Sequence, residues 1–131
     1  MDYRDNAYPE SIEMYLESID ILQGAEKFVR QVDIANLMRY SRPTVHITIN
    51  KLAELGLVEI GEKKGVKLTE KGRLIAQEVS ERHRFFACFL SYIGVDEKIA
   101  QRDACKIEHD ISPETFDRLK DFCKSHLKLE C

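Results

Sequence analysis

A thiol, a carboxyl group and an imidazole fall within one predicted helical turn late in the chain. These groups belong to Cys105, Glu108 and His109, whose i, i+3 and i+4 spacing places them on one helix face. Thiolate, carboxylate and imidazole are all ligands of transition metals in proteins. The spacing therefore predicts part of a metal site, although Glu108 and His109 are also compatible with an ordinary surface pair.

Three further residues extend this candidate site. Met14 places a thioether on the face of the first predicted helix opposite its apolar stripe, and Glu17 follows one turn later. Both are candidate metal ligands, but Met14 is also explained by packing against another helix or a second subunit, which Ile21 on the same face favours. His83 lies at the edge of an apolar helix face, where a histidine is either a ligand or a hydrogen-bonded core-edge residue.

The elements that position these residues are predicted to be mainly α-helical, with one hairpin. Apolar periodicity, capping residues and breaks at Gly and Pro indicate the helix starts. The helices are predicted to begin near Ser11, Val32, Pro43, Thr69, Asp96 and Ser112, and strands are predicted at 57–60 and 66–68. The turn between the strands is basic and contains glycine.

Residues 32–68 have the element order of a winged helix-turn-helix, which places its second helix in the DNA major groove. On this recognition helix, Val45, Ile49 and Leu52 share the buried face, whereas His46 and Asn50 point outward. The predicted DNA contacts are Ser41, Arg42, Pro43, Thr44, His46, Ile47, Lys51, Lys63 and Lys64. The alternative is that the two wing lysines only solvate a turn and that Ile47 is an ordinary surface residue.

The composition limits the classes of protein to which the chain can belong. Its 131 residues, 44% hydrophobic and 33% charged, suit one domain or two small ones and exclude a large multidomain enzyme. The net charge is −3, yet residues 39–73 hold 8 basic and 4 acidic side chains between acidic flanks. A local excess of positive charge favours a polyanionic partner such as DNA.

Membrane and secretory features are not found in the sequence. No apolar run approaches the ~18 residues needed to span a bilayer, and the acidic start lacks the layout of a signal peptide. We therefore expect a cytoplasmic protein with no membrane partner. Cys88, Cys105, Cys123 and Cys131 form no CxxC pair, so reduced thiols are expected.

Seven short motifs occur in a specific order between residues 11 and 119: EMYLESI at 13–19, VDIA at 32–35, SRPTV at 41–45, LTEKG at 68–72, RHR at 82–84, ACKIEH at 104–109 and ISPE at 111–114. In this series the chain resembles the diphtheria toxin repressor family of iron- and manganese-responsive transcriptional repressors, including its manganese-transport-regulator branch. The resemblance implies a homodimer that binds an operator palindrome. It also implies a DNA-binding domain at 1–73 and a helical metal-binding and dimerisation domain at 74–131, without the SH3-like domain of longer members.

The resemblance also assigns metal ligands. Met14, Cys105, Glu108 and His109 match the activating site of iron-type members, whereas manganese-type members have aspartate and glutamate at the first two places. Glu17 and His83 match ligands of a second metal in the manganese branch. An ancillary site of the iron-branch type is not expected, because Ala87 and Gln101 stand where that site requires a carboxylate and an imidazole.

These observations predict a metal-dependent repressor and not an enzyme. Soft sulfur ligands favour Fe(II), with Zn(II), Co(II) and Ni(II) possible in vitro and Mn(II) as the alternative native metal. A rival prediction keeps the winged helix but makes the protein a metal-independent regulator whose cysteines sense oxidation. A metal-binding enzyme or buffer is disfavoured, since the sequence shows neither a second acid–base constellation nor a phosphate-binding loop.

Overall fold

The computed structural model describes residues 9–25 and 28–131. Two compact units make up nearly all of this part of the chain, Ser11–Gln77 and Glu78–Cys131. The mainly α-helical, winged-helix fold predicted from the sequence is confirmed. The proposed domain boundary after residue 73 stays a prediction, because one long helix, Glu70–Tyr92, contributes residues to both units.

The first unit contains three helices before the wing and a small antiparallel sheet. Its elements are α1 (Glu10–Ala25), β1 (Val29–Arg30), α2 (Gln31–Met38), α3 (Arg42–Glu54), β2 (Val58–Ile60), β3 (Gly65–Leu68) and the start of α4 (Glu70–Tyr92). The strand order is β1-β3-β2, and Val58 pairs with Leu68. The sequence did not predict β1, because a two-residue strand leaves no detectable alternation.

The helix starts in this unit follow from local hydrogen bonds. Ser41 Oγ accepts from the backbone N–H of Thr44 at 3.3 Å, which caps α3. Thr69 Oγ1 likewise accepts from Gly72 N at 3.1 Å and donates to the carbonyl oxygen of Gly56 at 2.7 Å. Gly72 is required there, since a Cβ atom would collide with the carbonyl oxygen of Leu57.

The predicted wheel of α3 is confirmed. Val45, Ile49 and Leu52 are completely buried, as expected for one helix face. Ile47, on the opposite face, is 68% exposed. A large exposed apolar side chain on a recognition helix suits contact with a partner surface, and a DNA groove offers thymine methyl groups.

The second unit contains the rest of α4, α5 (Glu97–Ile107) and α6 (Pro113–His126). The predicted caps are confirmed: Asp96 accepts from Lys98 N at 3.2 Å, and Ser112 accepts from Thr115 N at 3.1 Å. The buried core of this unit consists of aromatic and small side chains, from Phe85, Phe86, Ala87, Ala104, Phe116 and Cys123. Edge-to-face contacts join Phe85 to its aromatic neighbours on α4 and α6.

Two expectations about this unit are wrong. The helical spacing of Phe116, Leu119, Phe122 and Cys123 predicts that all four face inward, but Phe122 is 53% exposed and stacks on His126 with ring centroids 4.5 Å apart. Helix α5 ends at Ile107, so Glu108 is its C-cap and His109 lies in the following turn. Glu108 keeps right-handed helical angles and its N–H still reaches Ala104 O, which preserves its place below Cys105.

The expectation that all four thiols are reduced is also wrong. Cys88 on α4 and Cys131 form a disulfide with Cα atoms 5.8 Å apart, whereas Cys105 and Cys123 are not disulfide-bonded. The chain after α6 turns back, because Leu127 and Leu129 pack against the aromatic core. This tertiary return brings together two cysteines 43 residues apart, which no local spacing could reveal.

No helix in the described residues has both the length and the apolar character that crossing a bilayer requires.

Replacing Cys131 by Ser should lower the free energy of unfolding of the second unit. A cross-link that closes a 43-residue loop contributes about 4 kcal/mol in the chain-entropy description, so we expect a loss of about 2–4 kcal/mol. Urea unfolding under non-reducing conditions measures this loss, with Glu130→Gln as the matched control. A variant as stable as the oxidised parent would show that the disulfide does not form in solution.

Candidate functional site

A cluster of three potential metal ligands lies between α4 and the end of α5. His83, Cys105 and Glu108 each present one ligand atom, and these atoms lie within 4.8 Å of one another. His83 comes from α4, while Cys105 and Glu108 are one helical turn apart in and after α5. The predicted i, i+3 convergence of thiol and carboxyl is therefore present, and tertiary packing adds the imidazole.

Glu108 is the centre of this cluster. Its side chain is completely buried, with Oε2 2.8 Å from His83 Nδ1 and Oε1 3.1 Å from His109 Nε2. A backbone contact helps to fix its position, since the Glu108 carbonyl oxygen accepts from the buried Arg82 guanidinium at 3.4 Å. A buried carboxylate between two imidazoles is an arrangement that ion pairing or a bound cation must stabilise.

The donor set fits a divalent transition metal. Glu108 Oε1 is buried and makes no hydrogen bond with the described residues, although His109 Nε2 lies 3.1 Å away, so this oxygen has a lone pair to offer a cation. Cys105 is partly exposed and adds a sulfur donor, and His109 is completely buried beside the carboxylate. Carboxylate oxygen, imidazole nitrogen and thiol sulfur together match the preferences of borderline-soft divalent cations.

His83 has a second polar neighbour that the sequence did not reveal. The amide oxygen of Gln101 lies 2.7 Å from His83 Nε2, on the side of the ring away from Glu108. Gln101 is one turn before Cys105 on α5, the place where an ancillary ligand was expected to be missing. The place of Gln101 in the sequence could have indicated a role near the metal site. Because an amide is rarely a metal ligand, the sequence suggested only a missing ancillary ligand and gave no sign of the contact with His83.

Met14 and Glu17 belong to the other compact unit. Both lie on α1 and are partly buried. Glu13, immediately before Met14, is 4% exposed, and no sequence signal had indicated this burial. The assignment of Met14 and Glu17 as ligands stays a prediction.

The predicted DNA contacts form an exposed surface around the start of α3 and the wing. All nine are exposed: Ser41, Arg42, Pro43, Thr44, His46, Ile47, Lys51, Lys63 and Lys64. Ser41 Oγ, which caps α3, also donates a hydrogen bond to Thr44 Oγ1 at 2.8 Å. The DNA-binding role of the nine residues stays a prediction. For Ser41 and Thr44, it requires hydroxyl groups that already make hydrogen bonds within α3 to bind phosphate as well.

Hydrogen bonds fix two side chains on the outward face of α3, and one of these bonds comes from α2. His46 Nδ1 lies 3.1 Å from Gln31 Oε1, and His46 Nε2 lies 3.2 Å from Asn50 Nδ2. An imidazole that donates through Nδ1 to the amide oxygen accepts from Asn50 through Nε2. Gln31, at the start of α2, thereby orients His46, one of the predicted DNA contacts, and His46 in turn holds Asn50.

The wing tip has an unusual backbone. Lys63 and Lys64 both adopt left-handed angles, with φ of 57° and 59°, inside a turn closed by a 2.9 Å hydrogen bond from Gly61 N to Gly65 O. Glycine is the usual residue at such positive φ angles, but here the two lysines occupy them and the glycines flank the turn. Both ammonium groups therefore project from a tight hairpin turn, which suits contact with phosphate.

Comparison with known domains defines the class of protein. The sequence model described as "Iron dependent repressor, N-terminal DNA binding domain" matches residues 8–66. The model described as "Iron dependent repressor, metal binding and dimerisation domain" matches residues 69–128. The chain therefore belongs to the diphtheria toxin repressor family of metal-dependent transcriptional repressors.

Individual relatives agree with this assignment. The transcriptional regulator MntR of Escherichia coli O6:H1 is 41% identical over 117 residues, which cover 89% of this chain and 76% of that protein. The crystal structure of IdeR from T. acidophilum matches with a TM-score of 0.73 and 28% identity over 83% of this chain. A manganese-dependent transcriptional repressor in complex with manganese matches with a TM-score of 0.75 and 29% identity over 84%. The chain spans about half the length of these two solved chains, 52% and 51%.

Neutralising the wing should weaken DNA binding and reduce its dependence on salt. In the double variant Lys63→Gln/Lys64→Gln, we expect the slope of log K against log[salt] to fall by about 0.9 for each phosphate that the wing no longer neutralises. Fluorescence anisotropy of a labelled duplex at several salt concentrations measures both quantities. Lys124→Gln, on α6, is the matched control, and an unchanged slope in the double variant would remove the wing from the DNA interface.

Proposed function

We propose that this chain is a metal-activated repressor that binds operator DNA as a homodimer, with Fe(II) as its native metal. The observation that supports this most is the convergence of His83, Cys105 and Glu108 around a buried carboxylate oxygen. A winged helix-turn-helix with a basic wing occupies the other unit. A metal site and a DNA-binding unit in one small chain suit a regulator, and we propose no enzymatic activity.

We further propose that ligands from both units share the cation. Met14 and Glu17 are the donors on α1, and Cys105, Glu108 and His109 are the donors of the second unit, with His83 beside them. A bound cation supplies the positive charge that the clustered carboxylates and thiolate require. Because the donors lie far apart in sequence, the protein binds a cation most tightly in the arrangement where both sets reach it.

Such shared ligation would couple metal binding to DNA binding. The arrangement that satisfies both donor sets is the one we assign to DNA binding, where the recognition helices of the two subunits enter successive major grooves about 34 Å apart. A ligand shifts a conformational equilibrium only by its preference for one state, so the DNA-competent state must bind metal more tightly. Linkage then requires operator DNA to tighten metal binding by the same factor.

The donor types favour iron over manganese. Thioether and thiolate groups, from Met14 and Cys105, prefer softer cations than Mn(II), which is bound mainly by oxygen. Zn(II), Co(II) and Ni(II) share this preference and should bind in vitro. Cellular availability then selects Fe(II) among them.

Mn(II) is the alternative native metal. The E. coli relative is named MntR, and one matching structure is a manganese-dependent repressor with manganese bound. In this chain Glu17, His83 and Glu108 would supply oxygen and nitrogen donors that Mn(II) accepts. A manganese-responsive repressor would use the same fold and the same reading surface.

The disulfide between Cys88 and Cys131 favours a second candidate function, a regulator that responds to oxidation without metal. In that case, oxidation of metal-free protein would change its affinity for DNA. Unchanged DNA affinity between the oxidised and the reduced metal-free protein would contradict this candidate.

Anaerobic addition of Fe(II) should tighten DNA binding by about tenfold or more, which is the usual size of a coupling between two sites. The probe is a duplex selected from a random library by the Fe(II)-loaded protein. Anisotropy is measured in parallel with Fe(II), Mn(II), Co(II), Zn(II) and a chelator, and metal analysis of protein purified without oxygen identifies the resident ion. Equal DNA affinity with and without every metal would contradict the proposed function.

Exchanging the sulfur donors for oxygen donors should move metal preference towards manganese. We expect Met14→Asp/Cys105→Glu to raise the ratio of Mn(II) to Co(II) affinity by about tenfold or more, since carboxylates replace soft ligands. Competition titration with a chromophoric chelator measures the ratio. The control Met14→Leu/Cys105→Ala, which removes sulfur without adding oxygen, should weaken both metals. An unchanged ratio in the carboxylate variant would contradict sulfur ligation.

A further inference from the structure

His83 contacts oxygen atoms on both sides of its ring. Nδ1 lies 2.8 Å from Glu108 Oε2, and Nε2 lies 2.7 Å from Gln101 Oε1. The two sides differ in environment: the Glu108 carboxylate is completely buried, while the Gln101 side borders an open surface groove. The ring spans from solvent to the buried ligand cluster, and its side chain is 27% exposed.

A neutral imidazole has one N–H donor and one acceptor nitrogen, so it satisfies only one of two oxygen acceptors. When Nε2–H donates to the Gln101 amide, Nδ1 presents its lone pair towards Glu108. A cation beside Nδ1 and Oε2 then turns an unfavourable pair of acceptors into two ligands. Histidines that ligate metals commonly donate their other N–H to an oxygen in this way.

We propose that Gln101 is a positioning residue for the metal site, because its amide oxygen holds His83 with Nδ1 towards the cation. This inference rests on the proposed function, since it assigns a role only if His83 is a ligand. Gln101 itself does not touch the metal. Its contact fixes both the rotation of the ring and the nitrogen that carries the proton.

The position explains two departures from the expected ancillary site. Ala87, one turn after His83 on α4, presents only a methyl group to that part of the unit. Gln101 stands where an imidazole ligand was expected, but it contributes a hydrogen-bond acceptor to His83. The residues that would form a separate second site on iron-type members here support one ligand of the main cluster.

The test compares Gln101→Leu, which removes the acceptor at similar size, with Gln101→Glu, which keeps an acceptor oxygen. Binding of Co(II) is followed anaerobically by its absorption spectrum in the full chain. We expect Gln101→Leu to weaken Co(II) binding by about 10- to 100-fold, the usual effect of removing such a partner, and Gln101→Glu to restore it. Arg102→Gln, at an exposed neighbouring position with the same change in net charge as Gln101→Glu, measures the purely electrostatic part.

Two readouts separate positioning from a general structural effect. In the Zn(II)-loaded parent, 15N NMR of the histidine rings should show His83 bound through Nδ1 and protonated at Nε2. In a His83→Ala background, the Leu substitution at 101 should cause no further loss of Co(II) affinity, since the residue acts through His83.

Parent-like Co(II) affinity in Gln101→Leu would overturn the inference, as would ligation of His83 through Nε2 or an equal loss in the His83→Ala background. A restoration by Gln101→Glu no larger than the effect of Arg102→Gln would also overturn it. In each of these cases, a parent that still binds Co(II) and DNA together leaves the proposed function intact. A parent that binds no divalent metal would overturn both.

Discussion

The burial of the Glu108 carboxylate between two imidazoles imposes the strongest constraint on this chain. A carboxylate without solvent is costly unless charge or hydrogen bonds compensate it, and here Oε2 faces His83 while Oε1 faces His109. The surrounding elements serve this contact. Helix α5 ends at Ile107 so that the acid forms the C-cap, and Arg82 holds its carbonyl oxygen. A divalent cation is the simplest group that satisfies the remaining donors.

The need to balance the charge of the Glu108 carboxylate would also link metal binding to DNA binding in the proposed regulator. A site that is complete only when Met14 and Glu17 join the cluster would make metal affinity depend on how the two units are arranged. Metal binding and DNA binding would then both depend on the same conformational equilibrium, so each would strengthen the other. In the proposed site, the Gln101–His83 contact would affect metal affinity without being a ligand bond itself.

Local features of the sequence predicted most of the fold. Thr69, Asp96 and Ser112 cap helices as expected, because each hydroxyl or carboxylate reaches a backbone N–H only two or three residues away. The helix predicted to begin at Pro43 is capped by Ser41 in the same way. Helical periodicity likewise predicted the buried face of α3. The convergence of Cys105 and Glu108 needed nothing beyond one turn of spacing.

Features that depend on tertiary packing were not predictable from such patterns. The contact of Gln101 with His83 joins two helices, and the Cys88–Cys131 disulfide requires the chain after α6 to turn back onto the aromatic core. The exposure of Phe122 was not predicted for a related reason, since its helical spacing fits an inward face and only the packing of α6 decides otherwise.

A crystal structure of the Fe(II)-loaded protein on operator DNA, with iron located by anomalous scattering, tests the shared cation most directly. The account predicts one iron peak bonded to both Met14 Sδ and Cys105 Sγ, at about 2.3 Å for the thiolate by analogy with zinc. An iron peak held only by residues of Glu78–Cys131, with Met14 beyond bonding reach, would contradict it.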